Sequence, residues 1–260
     1  SLTNVTIPGS VTSIGTSAFS GCRSLTNATL PEGVTSIGTS VFQYCSSLVN
    51  ITIPEGVTFI GTSAFSGCSS LTNVTIPKSV TSIGTSAFSG CSSLLSVIIP
   101  ENVYSISDKA FSDCTALTDI AIPDSVTYIG AKTFSGCTGL KSITIPQNVT
   151  SICASTFSGC TSLASITIPK SVITIGDGAF NACSALTDVY YSGSKTNWSK
   201  ISISDNNGNL NSATVHYGLI DIIASGKCGD NLTWELYDDG LLSITGTGAM
   251  YDNWNSTTVP

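Results

Sequence analysis

The sequence repeats itself every 23 residues, and this period limits the possible folds more than any other feature. Proline, phenylalanine, cysteine and leucine each form a column with this step. The columns begin at Pro8, Phe19, Cys22 and Leu2 and run to Pro169, Phe180, Cys183 and Leu186. Such a period indicates a stack of small units, none of which can bury its apolar face alone. We therefore predict eight units over residues 1–185, forming one solenoid.

Residues 71–93 illustrate one unit. Val74 and Ile76 alternate with the polar Asn73 and Thr75, as expected for a strand with one buried face. Pro77 comes next, and proline cannot donate to a sheet ladder, so the strand ends there. Every unit is thus expected to contribute one short strand to a parallel sheet.

The second half of the unit is predicted to turn on the outside of the stack. Gly84 suits a tight bend, and residues 85–91 fit a single helical or 3₁₀ turn whose apolar side chains face the core. A strand on one side and a wider turn on the other gives a curved stack. The parallel sheet is then expected on the concave face and the short helical turns on the convex face.

The pattern LxxVxIPxxVxxIGxxAFxxCxx of residues 71–93 resembles the BspA-like, or treponemal, class of leucine-rich repeats. The resemblance implies a right-handed leucine-rich-repeat solenoid of the β/α type. Residues 186–217 are similar to the capping unit that ends many such arrays. Members of this class are secreted or surface-attached proteins, and several are adhesins, so the resemblance also implies an extracellular location and a binding role in a bacterial protein.

Residues 218–260 are similar to short β segments beside such arrays. We expect a hairpin with strands at 233–237 and 241–245, joined by a turn at 238–240. We interpret this segment as the truncated start of a further module, with an extra strand pair packed on the cap as the alternative.

Composition excludes several partners. Only 10% of the residues are charged and the formal net charge is −7, with no basic cluster. Binding to nucleic acid needs clustered Lys and Arg, and so does binding to anionic membranes. No apolar run approaches the length that crosses a bilayer, so membrane insertion is not expected.

The cysteine column is best explained as a ladder of buried free thiols. Stacked units place these residues at the strand spacing, which exceeds the Cβ separation of a disulfide. Cys153 occupies the glycine place of its unit and Cys228 lies in the tail, and a bridge between these two remains an alternative. With one histidine and no C-x-x-C pair, we expect neither a metal site nor a cofactor.

No constellation of residues favours catalysis. His216 fits a surface or packing position in the last strand, and Asp108, Asp113 and Asp119 fall on different sides of the unit. Nucleophile and phosphate-binding motifs are missing from the sequence. The sequence therefore predicts a protein that is not an enzyme.

The candidate binding surface lies where the repeat changes. The first four units carry only Asn and Thr at the third and fifth places, which point outward. Change is concentrated in the later units, where Leu95, Ile98, Asp119 and Lys141 stand. Apolar groups within a polar rim are typical of protein contacts. Neutral drift of a tolerant repeat is the alternative explanation. Three aromatic residues on the flank form a second candidate set: Phe59, Tyr104 and Tyr128.

Together these features predict a secreted or surface-displayed adhesin-type module that binds a protein, such as a host surface or matrix protein, or a glycan. One alternative is a passive spacer that displays another domain. Another is a carbohydrate-binding module of a glycan-active protein, for which aromatic platforms along one face are expected.

Overall fold

The computed structural model describes residues 2–218, 222–229, 231–237 and 242–248. Residues 2–218 form a parallel-strand solenoid of about nine turns with little helix. We call each 23-residue unit a rung and number the rungs from residues 2–24. Rung five is then 94–116, rung six is 117–139 and rung seven is 140–162.

The strand after each leucine belongs to what we call the main sheet, the parallel sheet predicted for the concave side. Equivalent residues are paired across neighbouring rungs, as Asn4 is with Asn27. Numbered in chain order, the main-sheet strands are β1 (Asn4–Thr6), β2 (Asn27–Thr29), β4 (Asn50–Thr52), β6 (Asn73–Thr75), β8 (Ser96–Ile98), β10 (Asp119–Ala121), β12 (Ser142–Thr144), β14 (Ser165–Ile168), β16 (Asp188–Tyr191) and β18 (Thr214–Tyr217).

A second parallel sheet, which the sequence did not predict, forms just before the glycine bend. Its strands have only two residues each, too few for a periodic pattern to reveal. They are β3 (Ser36–Ile37), β5 (Phe59–Ile60), β7 (Ser82–Ile83), β9 (Ser105–Ile106), β11 (Tyr128–Ile129), β13 (Ser151–Ile152), β15 (Thr174–Ile175) and β17 (Ser202–Ile203).

The outer segments differ in detail from the expected helical turn. Each is a run of hydrogen-bonded turns, and the residue two places after the glycine bend has a positive φ, as Ser63 does at 55°. The turns also bond to the next rung, since the Phe65 N–H donates to the Ala87 carbonyl at 2.7 Å. The outer side of the solenoid is thus held by a third column of backbone hydrogen bonds.

One continuous apolar core runs through all the rungs. Phe42 to Phe180 are fully buried, and the phenylalanine rings from Phe19 onward stack with centroids 5.3–5.9 Å apart. Each ring thus packs against its counterparts in neighbouring rungs, as the stacked-unit interpretation requires.

The predicted ladder of buried thiols is confirmed. Cys45 to Cys183 of the repeat column are buried, and all ten cysteines are free, including Cys153 and Cys228. Each buried Sγ of the column donates to the phenylalanine carbonyl of the rung before, for example from Cys91 to Phe65 at 3.2 Å. The same carbonyl also accepts the cysteine N–H of its own rung, as Phe65 does from Cys68 at 3.1 Å, so the buried S–H has a partner by sharing this acceptor.

These thiols should resist alkylation. Burial raises the pKa of Cys45 and of Cys183 from 9.0 to about 11, which leaves ~100-fold less thiolate than in the unfolded chain. At pH 8 we expect iodoacetamide to label both residues at least ~100-fold more slowly in the native protein than in urea. Because the folded pKa is the higher one, the free energy of unfolding should fall as pH rises above 9.0. Equal labelling rates, read by mass spectrometry, would contradict the burial.

The main sheet is interrupted on both sides of β8 and β10. Within residues 2–218, β6 does not pair with β8, and β10 does not pair with β12, so β8 and β10 form a two-stranded sheet of their own. The second sheet is also interrupted between β11 and β13. The breaks therefore fall between rungs four and five and between rungs six and seven.

Both breaks coincide with a rung that has lost its bend glycine. Rungs five and seven carry Ser107 and Cys153 at this place. A Cβ added to Gly84 in rung four would lie 2.8 Å from backbone atoms of rung three, closer than such contacts allow. Ser107 nevertheless keeps the bend hydrogen bond, since its N–H donates to the Ile83 carbonyl at 2.9 Å and β7 pairs with β9. At Cys153 the second sheet is interrupted, and we attribute that interruption to the Cβ of Cys153.

The array ends in an irregular unit. Helix α1 (Lys195–Trp198) is capped by Ser194, and α2 (Gly208–Ser212) leads into β18. The Trp198 ring meets the buried Tyr191 edge-on, with centroids 5.2 Å apart. Bulky side chains thus cover the end of the core in this unit.

A three-stranded antiparallel sheet lies after the array in the chain: β19 (Ile222–Gly229), β20 (Leu232–Tyr237) and β21 (Leu242–Gly246). β20 and β21 are the two strands of the predicted hairpin, in antiparallel register. The predicted turn at 238–240 lies outside the described residues, and the interpretation of 218–260 as part of a further module stays a prediction.

Candidate functional site

The candidate patch occupies the outward face of the main sheet at the interruptions. Leu95 immediately precedes β8 and is 52% exposed, and Ile98 ends β8 and is 76% exposed. Aliphatic side chains of this size favour burial. Rungs one to four carry threonine at the place of Ile98, while Val49 of rung three, at the place of Leu95, is 38% exposed. The structure places Leu95 and Ile98 on the same side of the solenoid.

Asp119 and Lys141 border these two residues in the next rungs. Asp119 is exposed on β10 and its Cα pairs with that of Ser96, between Leu95 and Ile98. Lys141 is exposed just before β12, beyond the second interruption. The four predicted residues thus lie on one surface spanning rungs five to seven. The negative charge of Asp119 and the positive charge of Lys141 lie in rungs six and seven, beyond the two apolar side chains.

A groove of about 520 Å³ opens beside Ile98 at the ends of the strands. Its floor contains Ile76, Ile99 and Ile122, and charged or polar groups stand at its edge. Ile122 is only partly buried, whereas Ile76 and Ile99 are 6% and 4% exposed. No sequence pattern indicated this groove, because residues of three different rungs line it.

A smaller cleft of about 300 Å³ marks the second interruption. It is lined by residues 119–122 of rung six and 142–144 of rung seven. Asp119 stands at this cleft as well as in the patch, so the two features are continuous.

The flank aromatics are exposed but are not brought together. Phe59 on β5 and Tyr128 on β11 share a column, with Ser82 and Ser105 between them. Tyr104 lies one place earlier, before β9. The three residues therefore form no continuous aromatic platform.

Tyr128 instead belongs to a small polar cluster. Its hydroxyl donates to Asp108 Oδ1 at 3.3 Å, and the same oxygen accepts the Ala131 N–H at 2.9 Å. The pKa of Cys153 is raised by burial and by the nearby Asp108 carboxylate. A thiol with a raised pKa is a poor nucleophile at neutral pH, so this cluster does not suit nucleophilic chemistry.

His216 forms a surface pair that the sequence did not predict. Its Nε2 lies 2.7 Å from Asp188 Oδ1, and its ring stacks on Tyr190 with centroids 4.8 Å apart. The hydrogen bonds from His216 and Thr187 hold the pKa of Asp188 below its ordinary value. Equivalent places on neighbouring strands hold Tyr190 and His216, and this register is the signal that would have revealed the contact.

Other kinds of site find no support in the part of the chain that the structure describes. There, no three His, Cys, Asp or Glu side chains are grouped as a metal ion requires. Nor does any helix within those residues have the length and apolar character needed to span a bilayer.

Comparison with known families gives one match. The BspA type leucine-rich repeat region matches six times, over residues 1–118 and 104–225. No protein with a curated description matches the chain.

Solved structures of bacterial leucine-rich repeat proteins are similar to this one. A Bacteroides ovatus leucine-rich repeat protein is 32% identical over 83% of this chain and 63% of its own length, with a TM-score of 0.66. The T. pallidum leucine-rich repeat protein is 30% identical over 62% of this chain and 78% of its own, with a TM-score of 0.58. A leucine-rich cell surface protein of Faecalibacterium prausnitzii is 30% identical over 77% and 82%, with a TM-score of 0.50. The chain thus spans less than two thirds of the Bacteroides ovatus protein.

Proposed function

The chain belongs to the BspA type leucine-rich repeat family, and from this membership we propose that it is a non-catalytic, adhesin-type module that binds another protein outside the cell. The observation that carries the proposal is the exposed pair Leu95 and Ile98 on an isolated two-stranded sheet. Leucine-rich repeats supply a protein-interaction scaffold. Rungs five to seven, which lie at the two interruptions, are the part of this scaffold whose residues depart from the sequence repeated in rungs one to four.

The chemistry of the patch supports a protein partner. The two aliphatic side chains provide apolar area whose burial stabilises a complex, at roughly 25 cal/mol for each Å² removed from water. Asp119 and Lys141 can set orientation through opposite charges, as polar rims do in protein interfaces. The scattered aromatics Phe59, Tyr104 and Tyr128 offer less to a glycan, which favours stacking on adjacent rings.

The extracellular location is part of the same proposal. It is supported by the resemblance to a cell surface protein of Faecalibacterium prausnitzii. Host surface proteins, matrix proteins and mucins are therefore the partners to test first, and a passive spacer would retain none of them.

We expect a Leu95→Ser, Ile98→Thr double variant to lose at least ~10-fold in affinity for the partner found in such a screen, because about 1.4 kcal/mol of apolar burial corresponds to that factor. Affinity is measured by surface plasmon resonance on the full chain. Ile173→Thr is the matched control, since Ile173 is 64% exposed away from the patch. Full affinity in the double variant would overturn the assignment of the site.

A further inference from the structure

We propose that the groove beside Ile98 binds an aliphatic side chain of the partner, carried on an extended segment next to a Lys or Arg. This inference rests on the proposed function and names the partner chemistry of the same surface. The shape of the groove, its departures from the repeat and the charges at its edge support it.

The groove has the size and lining that suit one branched side chain with its adjoining backbone. Its volume is about 520 Å³, at the small-ligand end of known binding pockets. Its apolar lining consists mainly of Ile76, Ile99, Ile122, Pro100 and Pro123, with the exposed Ile98 beside them. A Leu, Ile or Val side chain therefore finds apolar contacts on several sides.

Two departures from the repeat shape this groove. Ala121 stands where Thr52 and Thr75 stand in earlier rungs, so one wall is lower by a hydroxyl and a methyl group. Ile98 holds the same place in rung five and adds an exposed apolar side chain. The groove also crosses the rung boundary at which β6 and β8 do not pair.

The edge of the groove carries unused negative charge. Glu101 lines the groove and is exposed, and its carboxylate takes part in no hydrogen bond or ion pair within the described residues. Asp124 is exposed at the same place of the next rung, where its Oδ1 accepts the Gln147 N–H at 3.0 Å. Two neighbouring carboxylates beside an apolar groove favour a basic group next to the bound side chain.

Lys78 occupies the equivalent place on the other side of Glu101. Lys78 also lines the groove, and the side-chain amide of Asn102 donates to its backbone carbonyl at 2.7 Å. This cation lies at the end away from Asp124. The order of charges along the groove edge thus defines a direction for the bound segment. Its basic residue would lie over Glu101 and Asp124, at the end away from Lys78.

The test is a selection of random phage-displayed peptides on the immobilised full chain, followed by affinity measurements with the enriched peptides. We expect the enriched sequences to share Leu, Ile or Val next to Lys or Arg. Glu101→Lys should weaken these peptides by at least ~10-fold through charge repulsion. Ala121→Thr should weaken them similarly, because it restores the threonine of the repeat and raises one wall of the groove.

Ile173→Thr is again the control and should bind the peptides as the wild type does. The inference is overturned if no sequence is enriched, if acidic sequences are enriched, or if Ala121→Thr and Glu101→Lys both bind the peptides unchanged. These results separate it from the proposed function: a folded partner that still depends on Leu95 and Ile98 would uphold the module's role while rejecting the groove as a peptide site.

Discussion

Replacing Phe111 by alanine is expected to lower the free energy of unfolding by about 3–5 kcal/mol, the usual cost of deleting a buried aromatic ring. Phe111 is fully buried, and its ring stacks between those of Phe88 and Phe134 at 5.4 and 5.9 Å. The deletion removes two ring contacts and leaves a cavity in a core to which each rung contributes one such ring. Guanidinium denaturation monitored by circular dichroism measures the loss.

Phe59→Ala is the matched control. Phe59 is 40% exposed on β5, so its removal should change stability by no more than about 0.5 kcal/mol. In a stacked array each unit meets only its neighbours, so the Phe111 variant should also show an early transition confined to part of the chain. Equal effects of the two substitutions would argue against the stacked core.

Adding one methyl group at Gly61 is expected to cost about 1–3 kcal/mol, as overpacking does. A Cβ there would lie 2.7 Å from the carbonyl carbon of Gly38 and 2.7 Å from the Ile37 oxygen. These are backbone atoms, so rungs two and three must separate. The measurement is the denaturation midpoint of Gly61→Ala against wild type.

Gly15→Ala provides the control, because Gly15 holds the same place in rung one and a Cβ there meets nothing within 4 Å. The reverse experiment is Cys153→Gly, which should let rungs six and seven approach. The amide at position 153 would then donate to the Ile129 carbonyl, as Gly130 does to Ile106 at 2.9 Å. Slower hydrogen exchange at this amide is the expected result, and unchanged exchange would show that Cys153 is not the cause of the break.

The sequence predicted those features that repeat. The proline, phenylalanine and cysteine columns define the strand ends, the stacked rings and the thiol ladder, because each column reports a contact that recurs in every rung. The outward position of Ile98 also came from strand alternation. Its exposure needed only the assumption that the main sheet has one buried face.

The rest depends on geometry that no single rung encodes. Positive φ values at Ser63 and its equivalents oppose the ordinary preference of serine, and neighbouring-rung hydrogen bonds stabilise them. The loss of glycine at Cys153 was visible in the sequence, but its consequence required the 2.7–2.8 Å distances found at Gly61 and Gly84. The groove beside Ile98 is lined by residues of rungs four, five and six together, so no single rung reveals it.

The identical joints between rungs also govern how such a chain can change in length. Because rungs two to four meet through the same three columns of backbone bonds, whole copies of 23 residues can be duplicated or lost there without altering the register of the later rungs. Insertions of other sizes would turn buried strand positions outward. Unequal recombination in the gene segment that encodes these early rungs would thus place the patch of Leu95, Ile98, Asp119 and Lys141 farther from the start of the array or nearer to it. The residues of the patch would stay unchanged.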